Sequence, residues 1–231
     1  MRCYLFTSSC SLAAIIAVVA ILGHGVTVAG NETAVINVGV YYESLCGDSM
    51  RFIKNQLVPS YDTLKDYISI TFVPYGKASH TKDVGSNEWK FSCQHGSAEC
   101  DGNMAQACGI HAIQNEEQAE KVQQLTVALV GCAMASRYPP SSVPGCANDV
   151  GLSEKTRKSI DSCIAGSLSK ELLVANGEKT KELDPKLSFV PTITINGVTS
   201  SEIQSQALTN FLKLICDTLP KESKPSRCSN A

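Results

Sequence analysis

No stretch of this sequence carries a long run of basic residues, and its formal net charge is −2. That leaves no electrostatic footprint for nucleic acid or for anionic membranes, so neither is expected as a partner. Internal repeats and low-complexity tracts are missing as well. The uncharged apolar run over residues 12–22 is too short to span a bilayer comfortably. It follows Arg2 and precedes the small residues Thr27, Val28 and Ala29, which reads as a signal peptide over residues 1–30. Loss of that leader removes its one positive charge and makes the net charge −3. The most telling absence is local. The tetrapeptide Cys46-Gly47-Asp48-Ser49 ends in serine where a dithiol exchange site would carry a second cysteine.

What is present begins with cysteine. Of eleven, Cys3 and Cys10 leave with the leader. Nine remain: Cys46, Cys93, Cys100, Cys108, Cys132, Cys146, Cys163, Cys216 and Cys228. An odd count in a secreted chain leaves one thiol over. Eight can form four structural disulfides in an oxidising compartment, with their connectivity open, and Cys46 is the natural one left. Asn31-Glu32-Thr33 is a glycosylation sequon at the start of the mature chain, with Asn31 as the acceptor.

Residues 35–42 are β-branched and aromatic and read as a strand. Glu43 and Ser44 turn the chain, and Cys46 opens an amphipathic helix to about Leu57 whose apolar positions are Met50, Ile53, Leu57 and Val58. A thiol at a helix N-terminus faces unpaired N–H groups and the positive end of the dipole, which favours thiolate. Ser49 is placed to hydrogen-bond the sulfur, whereas Asp48 opposes its ionisation. Residues 68–75 alternate as a second strand, and about 25 intervening residues fit a parallel βαβ crossover. Residues 76–87 read as loop, with a short strand at Trp89.

From Cys93 the chain reads as helices joined by cysteine-bearing turns: one over 99–114, one over 116–138, and one over 153–173 with Ser153 as N-cap. Cys100 and Cys108 share a helical face, so each is placed to bridge to a neighbouring helix. Residues 190–195 form a proline-led strand, Asn196-Gly197 signals a hairpin, and a helix over 201–219 presents Ile203, Leu208, Phe211, Leu212 and Ile215. The plan is α/β: a thioredoxin-like fold over residues 31–231 with a large disulfide-bearing helical insertion at about 93–185.

The signature Cys93-Gln94-His95-Gly96-Ser97-Ala98-Glu99-Cys100, followed by Asn103 and Cys108, resembles that of the gamma-interferon-inducible lysosomal thiol reductases (GILT). The segments around Cys46 and Pro191 and the other cysteine positions resemble that family too. The resemblance implies a thioredoxin-like, often glycosylated protein of lysosomes or the extracellular space that acts on disulfides of protein substrates. It also implies that Pro191 is a cis-proline facing Cys46, with the backbone of Val190 pairing with substrate. The Cys-x-x-Ser site departs from the two-cysteine pattern of vertebrate members. Catalysis would then rest on Cys46 and Ser49, with an external thiol such as glutathione or cysteine as reductant and no cofactor.

Several alternatives stay open. Cys46 could be inert, or bridge two chains, although a monomer is expected. A GILT scaffold that has lost its redox cycle could serve as a secreted non-enzymatic binding protein that engages host proteins. The Cys93, His95, Cys100, Cys108 and His111 spacing admits zinc, but oxidising conditions favour disulfides, so no metal is expected. His95 reads as a structural residue near a helix start; an acid–base role needs proximity to Cys46.

Overall fold

The computed structural model describes residues 35–230; the signal peptide and Asn31 lie outside the described residues. The alternation seen in the sequence builds β1 (Ile36–Tyr42), which buries Ile36, Val38, Val40 and Tyr42 on the core side. It lies in the centre of a three-stranded sheet. On one side it runs parallel to β2 (Ile68–Pro74), with Ile36 opposite Ile68 and Tyr42 opposite Pro74. On the other it runs antiparallel to β5 (Thr192–Ile195), with Val40 opposite Ile193.

The β1–β2 crossover is helical for longer than its periodicity indicated. It comprises α1 (Gly47–Phe52), a π-helical turn at Ile53–Leu57, and α2 (Val58–Leu64). Pro59 has no amide to give to the carbonyl four residues back, and the chain widens there instead of stopping. The Val58 amide reaches the Ile53 carbonyl. Ile53 and Leu57 are fully buried, whereas Val58 is exposed and covers Gly131.

Residues read as loop contain β3 (Ser79–Lys82), paired antiparallel with β4 (Trp89–Ser92). The β3 side chains are mostly exposed, so no hydrophobic alternation marks the strand. Its anchor is His80, whose Nδ1 is 2.7 Å from the Tyr75 hydroxyl and whose Nε2 is 3.0 Å from Glu178.

The insertion comprises α3 (Ser97–Glu116), α4 (Val122–Ala135), α5 (Val143–Asp149), α6 (Glu154–Ala165) and α7 (Leu168–Lys181). Ser153 caps α6 by accepting from the Thr156 amide, as its sequence position indicates. The helix expected over 153–173 is two helices, because Gly166 adopts an extended backbone after α6. Helix α8 (Ser201–Thr218) carries the anticipated apolar stripe but is broken at Asn210, whose side chain accepts from the Lys213 amide. The Asn196-Gly197 turn forms, yet the strand expected after it shrinks to a single bridge between Ile195 and Val198. Ser200 already caps α8 two residues later, which leaves the chain no length to pair.

Two hydrophobic clusters result. One joins the sheet, α1, α2, α4 and α8, with Phe52 and Phe211 in edge-to-face contact at 5.6 Å between centroids. The second lies within the insertion and includes Ile113, Leu129, Val143 and Ile160.

Candidate active site

Cys46 is the N-cap of α1, with φ −70° and ψ 120°, and its carbonyl accepts from the Met50 amide at 3.0 Å. Among the described residues it is the free cysteine. The other eight form the pairs Cys93–Cys100, Cys108–Cys163, Cys132–Cys146 and Cys216–Cys228. Cys108 bridges α3 to α6 as its helical face suggested. Cys100 does not reach a neighbouring helix; it closes back on Cys93, just upstream of its own helix. With Cys93, Cys100 and Cys108 in disulfides, their sulfurs do not join His95 and His111 as metal ligands.

The half-buried thiol does not bond to the amides of α1; it donates to the Val190 carbonyl at 3.5 Å. Val190 is buried and the bond to Pro191 is cis; the sulfur contact brings this segment, just ahead of β5, against the cysteine. Ser49 is fully buried, and its hydroxyl accepts from the Glu43 amide at 3.4 Å. Among the described residues this is the hydrogen bond of the Ser49 side chain; the one to sulfur expected of it is not formed. Asp48, expected to oppose ionisation of the thiol, is ion-paired with Arg51 one turn on.

Behind Cys46 the β1–α1 turn is clamped to α3. The Ser44 amide donates to Asn103 Oδ1 at 2.8 Å, and the Ser44 hydroxyl to the Glu99 carbonyl at 3.0 Å. A Cβ at Gly102 would lie 2.4 Å from that hydroxyl, so only glycine lets the two segments approach this closely. Glu43 is fully buried. Its Oε1 accepts from the Lys77 amide at 2.6 Å, while its Oε2 has no hydrogen-bond partner and lies 3.6 Å from His95 Nδ1. Burial raises the Glu43 pKa above the usual carboxylate range, opposed by the Lys77 amide and reinforced by the nearby Glu99. Gly76, at φ +62°, makes the room, since a Cβ there would meet the Glu43 side chain at 2.3–2.7 Å.

Glu99, also fully buried, accepts from the His95 amide at 3.1 Å and contacts His95 Nδ1 at 2.6 Å. His95 thus has the structural place near the start of α3 that its position suggested. It also lines a cavity of about 270 Å³ together with Cys46, Asp48, Arg51, Lys77 and Val190. Phe189, 39% exposed, forms an apolar edge of the same opening. Sequence reasoning gave Glu43 only a place in the turn before Cys46 and Phe189 no role. A charged residue directly after a strand that ends fully buried was the available sign for Glu43; nothing in the sequence pointed to Phe189.

The βαβ unit, the cis-proline strand and a free N-cap cysteine between them define a thioredoxin-like protein built around one accessible thiol. A solved structure of the same fold is MdbA, a thiol-disulfide oxidoreductase from Actinomyces oris, with a TM-score of 0.56 and 11% identity over 82% of this chain and 83% of that one. The family description "Gamma interferon inducible lysosomal thiol reductase (GILT)" matches residues 37–150. The Carassius auratus gamma-interferon-inducible lysosomal thiol reductase is 33% identical over 84% of this chain and 72% of its own. GILT-like protein 1 of Drosophila melanogaster is 34% identical over 80% of this chain and 75% of its own. The chain belongs to the GILT family. Among the described residues, no helix is long and apolar enough to cross a membrane.

Proposed function

We propose that this protein is a thiol–disulfide oxidoreductase that attacks disulfides of protein substrates with Cys46 as its single redox nucleophile. The observation that carries the reading is the thiol itself: free, half-buried, and opening onto a cavity beside the cis-proline segment. Attack by sulfur on a disulfide forms a mixed disulfide and releases one substrate thiol. Ser49 cannot resolve it, because a hydroxyl supplies almost no nucleophile, and its oxygen is engaged with the Glu43 amide. An external thiol such as glutathione or cysteine completes the cycle; a second thiol on the substrate would instead give isomerisation. An extended substrate strand would pair with the backbone at Val190, whose carbonyl the thiol releases as it engages its target, with Phe189 offering apolar contact. The family name, with the leader expected from the sequence, supports action in the lysosome or outside the cell; the reading takes the protein to be a monomer that works without cofactor or metal.

Ser49 also favours a second reading, a secreted binding protein on the same scaffold. Reduction of insulin at acidic and neutral pH, with graded glutathione, separates the two. Wild type should reduce insulin in proportion to glutathione, and Cys46→Ala should fall to the glutathione background. Equal rates for both proteins at every thiol level would exclude catalysis. A partner retained by Cys46→Ala under reducing conditions would favour binding.

A further inference from the structure

We propose that His95 is the general acid–base partner of Cys46, held in place by Glu99 and Glu43; the inference rests on the thiol-exchange reading above. The Cys46 thiol donates to the Val190 carbonyl, an arrangement that suits protonated sulfur and opposes a bare thiolate. Attack therefore calls for a group that removes the proton as the sulfur engages its target. In the cavity shared with Cys46, Lys77 and Arg51 are donors without a lone pair when charged, and Asp48 is tied to Arg51. His95 is the remaining candidate on the wall.

Its tautomer fits the task. Carboxylates only accept, so the 2.6 Å contact with Glu99 assigns the proton of neutral His95 to Nδ1 and leaves the lone pair on Nε2. Among the described residues Nε2 makes no hydrogen bond, and the side chain is 38% exposed. Two fully buried carboxyl groups stand on the Nδ1 side, one with an oxygen that lacks a hydrogen bond. An imidazolium formed there would gain from Glu99 and, when Glu43 is ionised, from that carboxylate as well. A nucleophile, a base and a third group that orients the base are the parts such activation needs.

The step balances. His95 Nε2 takes the Cys46 proton, and the sulfur's electron pair forms a bond to one substrate sulfur. The substrate S–S bond breaks, and its departing sulfur takes the electron pair and then the proton from Nε2. A mixed disulfide on Cys46 and one free substrate thiol result, with His95 neutral again. The charged and titratable groups around the ring are Glu43 from the β1–α1 turn, Lys77 after β2, Glu99 from α3, and Asp48 and Arg51 from α1.

The test reads Cys46 alone. Iodoacetamide alkylation of the mature chain is followed by mass spectrometry from pH 4 to 8, without any substrate disulfide. His95→Gln should slow alkylation of Cys46 well below wild type while keeping the native far-UV spectrum. Insulin reduction should fall about 100-fold, the lower end of what a positioned proton-transfer group contributes. In His95→Ala, added imidazole should restore alkylation, which a purely structural histidine would not allow. A wild-type profile in His95→Gln, or a loss that imidazole leaves untouched, overturns the proposal. Either result leaves the oxidoreductase reading intact, because that stands or falls with Cys46→Ala.

Discussion

A hydroxyl at position 49 leaves a mixed disulfide on Cys46 with no internal thiol to resolve it. Ser49→Cys places sulfur one helical turn from Cys46, in a fully buried site. Substrate release by this variant should become independent of glutathione, and the peptide map of its oxidised form should show Cys46 disulfide-bonded to the introduced thiol. Absence of both would mean that the surrounding site no longer supports a dithiol cycle. The second residue-scale prediction concerns Glu43, whose pKa burial raises. A carboxyl group with a raised folded pKa gives its full stability below the unfolded value and loses it as pH rises through the folded one. Glu43→Gln abolishes that titration. The melting temperature of the variant, relative to wild type, should therefore climb between the ordinary carboxylate range and neutrality. A constant difference at every pH would show that Glu43 does not titrate abnormally.

Elements differ in how plainly the sequence announces them, and the reason is physical. Strand β1, the stripe of α8 and the Ser153 cap follow from side-chain period or from one hydrogen bond, so all were legible. The β3–β4 hairpin was only half legible, because polar β3 gains its place from His80 bonding to Tyr75 and Glu178, of which Glu178 is remote in sequence. The π-turn before Pro59 and the break at Asn210 are local adjustments of helices whose apolar faces continue through them. At the site, Cys46 and Pro191 stood out by residue type. Glu43 and Phe189 gained meaning only once β1, α3 and the 189–191 segment met. The bridge between α3 and α6 carries its own prediction. Cys108→Ser/Cys163→Ser should destabilise by about 2–4 kcal/mol in denaturant melts, with Cys46 alkylation retained in the folded protein. A loss well below that range would mean that the Ile113, Leu129 and Ile160 cluster alone sustains the insertion.

Taken whole, the molecule joins a small three-stranded sheet to a helical insertion of comparable importance, because α3 supplies His95's partner Glu99 and also holds the turn that carries Cys46. The second hydrophobic cluster thus supports the reactive thiol at a distance. The same architecture bears on how small thiols meet the cross-links. Every bridge contains at least one buried cysteine: Cys100, Cys108 with Cys163, Cys146, and Cys216. Cys46 instead opens onto the cavity. If small thiols complete turnover as proposed, the permanent cross-links must outlast long immersion in them, and burying at least one cysteine of every bridge favours that persistence.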